Sequence, residues 1–175
     1  MIIVCILLWI LAFIIIIKDY KTESTRWMAA IAFLTGLGAF SVVFEDNIIK
    51  YFINENGADS KIIKLMYSSN GILAAMVHCL APYCMLIYGM SYLNIISKSK
   101  KRIIYIVLFI PAIISFIILP VKSNSLKTPE ELMLYFRQLT LWTVPYMIAA
   151  IYLLVYSYVK EKSYLIKKYK FGVIY

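Results

Sequence analysis

The sequence is poor in the side chains from which catalytic and metal centres are built. It holds one histidine, three cysteines and nine acidic residues, and no stretch gathers them into a ligand set. His78, Cys79 and Cys84 are close in sequence. On a helix, however, consecutive residues point about 100° apart, and a residue six positions on faces elsewhere again. That spacing does not assemble a metal site. No paired carboxylates or nucleophile–base pair falls inside the apolar blocks, so the chain is not expected to be an enzyme, and neither metal nor cofactor is expected. Glycines are few as well. Gly36 and Gly38 lack the strand and the further glycines of a phosphate-binding loop and read as packing residues.

Charge is equally scarce. Only 15% of residues are charged, 63% are hydrophobic, and mean hydropathy is +0.82. A soluble domain of this size has too much surface for its volume to hide that apolar area, so lipid takes the place of a core. The net charge of +9 would suggest nucleic acid in a soluble chain. Here the basic residues cluster in short loops between apolar blocks, and no nucleic-acid-binding motif accompanies them. Orientation in a membrane explains them better, and no nucleic-acid partner is expected. Cys5, Cys79 and Cys84 all fall in apolar blocks, where thiols behave as small hydrophobes. A secretory signal is excluded because the first apolar run has no basic residues before it and no small-residue cleavage site after it.

What is present is a series of long apolar runs. Leu65 to Ser97 contains no Asp, Glu, Lys or Arg, and about 20 apolar residues suffice for a transmembrane helix. Similar blocks surround it. The expected fold is all-α: a polytopic transmembrane helix bundle with five spans near residues 1–17, 27–44, 71–93, 103–121 and 138–159. All belong to a single integral membrane domain. Residues 45–64 read as a longer loop with a turn at Asn54–Gly57 and a weak apolar face at Ile48, Ile49 and Phe52. Thr128-Pro129-Glu130-Glu131 reads as a helix start, with threonine at the N-cap, proline first and glutamate three after the cap. Leu132, Tyr135, Phe136 and Leu139 then recur on one face, which predicts a short outer surface helix running into the fifth span. A basic cytoplasmic tail occupies residues 160–175.

Several residues stand out. Ala32, Gly36 and Ala39, with Ala29, form a small-residue side of the second span that admits a neighbouring helix, or the same helix of a homodimer. Pro82, Pro111 and Pro145 lie within spans and predict kinks. His78 is one turn before Pro82, and an ionisable side chain inside a span is a functional candidate by default. The plainer reading is a neutral imidazole hydrogen-bonded to a neighbouring helix. Glu45 and Asp46, at the exit of the second span, are further candidates for ligand or signal binding, against the plainer reading of a solvated helix end.

Orientation follows from counting. The loops after the first, third and fifth spans hold twelve of the eighteen Lys and Arg residues, and the other two loops hold six of the nine acidic ones. Positive loops stay in the cytoplasm. The N-terminus is therefore expected outside and the C-terminus inside the cell membrane. After the basic stretch ending at Lys170, residues 171–175 turn apolar, which predicts a sixth span cut short after Tyr175.

The segment Ser24-Thr25-Arg26-Trp27, running into an Ala-rich helix with Thr35-Gly36-Leu37-Gly38, resembles the membrane-embedded N-terminal region of bacterial sensor histidine kinases of the seven-helix type. The resemblance implies a sensory and anchoring module, with the catalytic kinase region as a partner on sequence beyond this chain. No cytoplasmic phospho-acceptor histidine and no Asn- or Gly-rich ATP-binding boxes occur here, so this chain alone phosphorylates nothing. The alternative is a small transporter or transporter subunit, although no internal repeat is visible.

Overall fold

The computed structural model describes residues 1–56, 60–91, 98–118 and 127–171. Every element among them is helical. α1 (Ile2–Lys18), α2 (Glu23–Val43), a π-helical turn (Phe44–Ile49), α3 (Lys50–Asn56), α4 (Lys61–Ser91), α5 (Lys98–Ile118) and α6 (Pro129–Phe171) follow in order. Contacts run in opposite senses along successive helices: Ile16 lies near Arg26 and Cys5 near Gly36, Trp27 near Tyr83 and Ser41 near Asn70, Tyr83 near Phe109 and Ser91 near Lys101. Trp9 meets Phe33 and Phe40, Gly38 meets Val77, and Tyr83 meets Phe109. α1, α2, α4 and α5 therefore run alternately up and down, and α6 runs parallel to α4, with His78 beside Tyr135 and Gly89 beside Ala150.

α4 is the axis of this arrangement, in contact with α2, α5 and α6. One core gathers Leu34 of α2, Tyr83, Cys84, Ile87 and Met90 of α4, Ala112 of α5 and Trp142 of α6. Most of the remaining apolar surface points outward: Ile3 is 69% exposed, Ile117 73% and Met133 75%. So large an exposed apolar area marks contact with lipid or another apolar partner. Among the described residues, three helical stretches are long and apolar enough to cross a membrane: Glu23–Glu55, Lys61–Ser91 and Pro129–Lys160. α1 is apolar but shorter, at 17 residues. α5 is also apolar but opens on Lys98, Lys100, Lys101 and Arg102.

Local chemistry sets the helix ends. Asp19 turns the chain between α1 and α2: its Oδ1 accepts the backbone N–H groups of Lys21 and Thr22, and the Thr22 hydroxyl donates to Oδ2. Those bonds, the hydroxyl's first, hold the Asp19 carboxyl below its ordinary range. The start of α6 is a reciprocal capping box, in which Glu131 N–H donates to Thr128 Oγ1 (3.2 Å) and Thr128 N–H to Glu131 Oε2 (3.1 Å). At the end of α4, the buried Lys101 ammonium donates to the Ser91 carbonyl at 3.3 Å, placing a cation where the helix dipole is negative.

Two expectations need correction. Residues 45–56 are helix, not loop. Their polar side chains bond along the helix, Lys50 to Asp46 at 2.6 Å and Tyr51 to Glu55 at 2.6 Å, while Ile49 packs with Ile63 and Tyr67. The helix opened at Thr128 runs without a break into the expected fifth span, as α6 from Pro129 to Phe171. α4 starts ten residues before the expected span at residue 71, at Lys61. Pro82, Pro111 and Pro145 lie inside α4, α5 and α6, each of which continues on both sides. The expected turn at Gly57 and the last four residues of the presumed sixth span, 172–175, lie outside the described residues.

Candidate functional site

Two polar groups interrupt the apolar bundle. The first joins α2 to α4 at the π-turn. A π-turn inserts one extra residue into a helical turn and is frequent at functional positions. Here it places Glu45 one turn beyond Ser41, facing α4. Ser41 is 5% and Asn70 3% exposed. Ser41 Oγ donates to Asn70 Oδ1 at 2.8 Å, and Asn70 Nδ2 donates to Glu45 Oε2 at 3.0 Å. Asn47 Nδ2 donates to the Val43 carbonyl at 3.0 Å, inside the same turn. The result is a continuous chain from a buried hydroxyl through a buried amide to a half-buried carboxylate. Each buried polar atom of this chain thereby gains the partner that burial demands.

Glu45 thus belongs to the site. Asp46, its neighbour, does not: it faces solvent and pairs with Lys50, four residues on. Asn70 and Ser41 were missed by sequence reasoning, which placed Asn70 just before the expected membrane core at Gly71 and Ser41 within the second span without a partner. The available signal was an amide in a run without charge, next to Gly71.

The second group joins α4 to α6. The Tyr135 hydroxyl lies 3.4 Å from His78 Nδ1, with the rings edge to face at 6.4 Å. Which atom donates depends on the imidazole tautomer. Tyr135 is buried beside Cys79 and Leu139, while His78 is exposed on the bundle surface. Lys127 lies over the Tyr135 ring, 3.2 Å from its centroid, a cation–π arrangement. Burial pushes the Lys127 ammonium down, against the pull of Glu131.

A third feature concerns the prolines. A proline removes one helix bond, that of the carbonyl four residues earlier, and crowds the neighbouring carbonyls. In a membrane another helix must compensate. Trp142 Nε1 of α6 donates to the Cys79 carbonyl at 3.2 Å, three residues before Pro82. One turn along α6, the Tyr146 hydroxyl donates to the Leu108 carbonyl at 2.9 Å, three residues before Pro111. The Trp142 and Tyr146 rings lie 4.0 Å apart. α6 therefore clips α4 and α5 each at the carbonyl one residue past the one that the proline leaves without its helix bond.

Gly36 of the expected packing face is buried against Trp9. Ala32 and Ala39 are half-buried, whereas Ala29 is buried. Among the described residues, no three His, Cys, Asp or Glu side chains converge to hold a metal ion. All three cysteines are free and buried. No protein-family model, curated protein or solved structure matches the chain.

Proposed function

We propose that the chain is the sensory and anchoring membrane module of a signal-transducing protein of the sensor histidine kinase type, without the catalytic transmitter. α1, α2, α4, α5 and α6 make five crossings. The N-terminus lies outside and the C-terminus in the cytoplasm of a cell membrane, with lipid as the principal partner and the kinase region on further sequence. The observation that carries this reading is α6. At 43 residues and about 1.5 Å per residue it is some 65 Å long, about twice the hydrocarbon thickness. It touches the His78 cluster near its start, clips both proline-bearing neighbours in its middle, and continues as helix past Lys160. A rotation or shift at the outer end would be transmitted along such a rod. Signalling needs two arrangements of similar energy that a stimulus binds unequally, and carbonyl clips at prolines are contacts that two arrangements can exchange.

The test is a fusion of residues 1–171 to a histidine kinase transmitter, with one to seven residues inserted at the junction. Autophosphorylation that rises and falls with a period of about 3.6 residues is the expected result. A flat response removes the rod-like output from the reading.

A small transporter is the second reading. It is favoured by the buried Ser41–Asn70–Glu45 chain at an irregular turn, the kind of place where transporters hold polar groups. Proteoliposomes loaded with a pH-sensitive dye would show a proton flux that Glu45→Gln abolishes. Absence of flux in the unmodified protein rejects this reading.

A further inference from the structure

α1 and α2 do not close against each other along their whole length. Between Trp9 and Phe33 at one end and Ile16 and Arg26 at the other, a groove of about 520 Å³ opens outward. Its floor includes Ala29 and Ala30, whose small side chains leave the space. From Arg26 to Phe33 is seven residues of helix, about 10 Å. The walls are apolar and aromatic, and among the described residues the only charged one lining them is Arg26, at the end next to the α1–α2 turn.

The charge at that end is positive. Lys18, Lys21 and Arg26 outnumber Asp19 and Glu23 there, and the Asp19 oxygens accept the backbone N–H groups of Lys21 and Thr22 and the Thr22 hydroxyl. Lys18 and Lys21 flank the same turn. An apolar slot ending in a cation at one edge of the bundle matches a molecule with a hydrocarbon tail and an anionic head. An extended peptide would leave its backbone groups unsatisfied on these walls. A zwitterionic lipid would bring its own cation toward Arg26 and the two lysines.

We propose that this groove is a binding site for one anionic phospholipid, its acyl chain lying along Phe13, Ala29 and Ala30 toward the Trp9–Phe33 pair and its phosphate on the Arg26 guanidinium. Basic pockets between helices at the cytoplasmic surface recognise anionic head groups in this manner. The inference rests on the membrane placement above but not on signalling, and the experiment reads lipid selectivity alone.

The full chain in nanodiscs would be given phosphatidylglycerol or phosphatidylcholine with brominated acyl chains, and tryptophan quenching followed. Phosphatidylglycerol should quench more strongly at equal mole fraction, and the difference should vanish in Trp9→Phe. Arg26→Gln should weaken the preference about fivefold, the size expected for one cation at the surface. Arg137→Gln, an exposed arginine outside the groove, should leave it unchanged. Ala30→Phe should reduce quenching by filling the slot. Should that variant fail to fold, the two arginine variants decide alone. Equal quenching by both lipids, a preference that survives Arg26→Gln, or an equal loss in Arg137→Gln each overturns the proposal.

Discussion

The indole of Trp9 lies directly on Gly36: a Cβ added to Gly36 would fall 2.5 Å from Nε1 and 2.6 Å from Cδ1. Phe33 and Phe40 flank the same ring at 6.2 and 5.8 Å. These three positions of α2 recur at helical spacing, so one face of α2 is shaped as a seat for one ring of α1. In lipid, helices associate chiefly through such close packing, because burial away from water contributes little there.

Gly36→Ala should therefore destabilise the bundle by about 1–3 kcal/mol, the usual cost of overpacking. Gly38→Ala meets only Val77 Cγ1, at the longer distance of 3.2 Å, and should cost less. Thermal unfolding in detergent measures both. Trp9→Ala should make Gly36→Ala nearly neutral in a double-mutant cycle. If Gly36→Ala melts with the unmodified protein, the seat is not a real constraint.

Trp142→Phe should cost about 0.6 kcal/mol, and up to about 1.7, the range for hydrogen bonds between membrane helices. The Pro82→Ala background provides the sharper check. Restoring the helix bond at residue 82 relieves the carbonyls around Cys79, so the Trp142→Phe penalty should shrink there. The same logic links Tyr146→Phe with Pro111→Ala. Penalties that do not change with the proline would mean that the clips hold the helices without compensating for the prolines.

Asn70→Asp tests the buried chain through its pH dependence. The introduced carboxyl would stand where Asn70 Nδ2 now donates to Glu45 at 3.0 Å, and two carboxylates that close share a proton, raising one pKa. A raised folded-state pKa contributes stability below the ordinary carboxylate range and loses it as pH rises. The melting-temperature deficit of the variant should be small at acid pH and grow toward neutrality. Lys50, which feels the Glu45 charge, lessens the effect without reversing it. A deficit independent of pH would place the two carboxyls apart.

His78→Gln keeps a group that bonds Tyr135 and should leave stability nearly unchanged. His78→Leu removes it and should cost about 0.6 kcal/mol and no more than about 1.7, a small figure in keeping with the long 3.4 Å contact. Chemical denaturation of both variants separates these outcomes. Full stability of His78→Leu would leave a structural role without support.

The helical, apolar character of the chain was legible because composition and run length alone carry it. So were the Thr128–Glu131 cap and the packing role of Gly36, both local patterns with a fixed spacing. Residues 45–56 were not legible, since Glu45, Asp46, Lys50 and Glu55 look like loop chemistry until the i,i+4 pairs and the burial of Ile49 are seen. Nor was Asn70. Nothing in its neighbours announces the partners that reach it from residues 41 and 45, and the same holds for Trp142 on Cys79. Contacts between distant segments depend on register between helices, which a single sequence does not encode in any local window.

The direction of insertion is the last expectation, and it follows from which ends the contacts bring together. Antiparallel packing of α1, α2, α4 and α5 sets the α1–α2 turn beside the Ser91–Lys101 contact that joins α4 to α5. The start of α4 and the capping box of α6 fall at the other end. Lysines and arginines are retained in the cytoplasm while the acidic residues have little influence, so the Lys18–Arg26 turn and the Lys98–Arg102 stretch should both be inside. Cys5, Cys79 and Cys84 are buried, so single reporter cysteines can be read against a low background. In intact cells an impermeant maleimide should label Ser60→Cys and Glu130→Cys. It should reach Lys21→Cys and Lys100→Cys only after the membrane is opened. Labelling of the second pair with protection of the first would reverse the orientation while keeping the bundle. Labelling of Lys21→Cys together with Ser60→Cys and Glu130→Cys would instead show that the α1–α2 pair does not cross, and would reduce the five crossings proposed here to three.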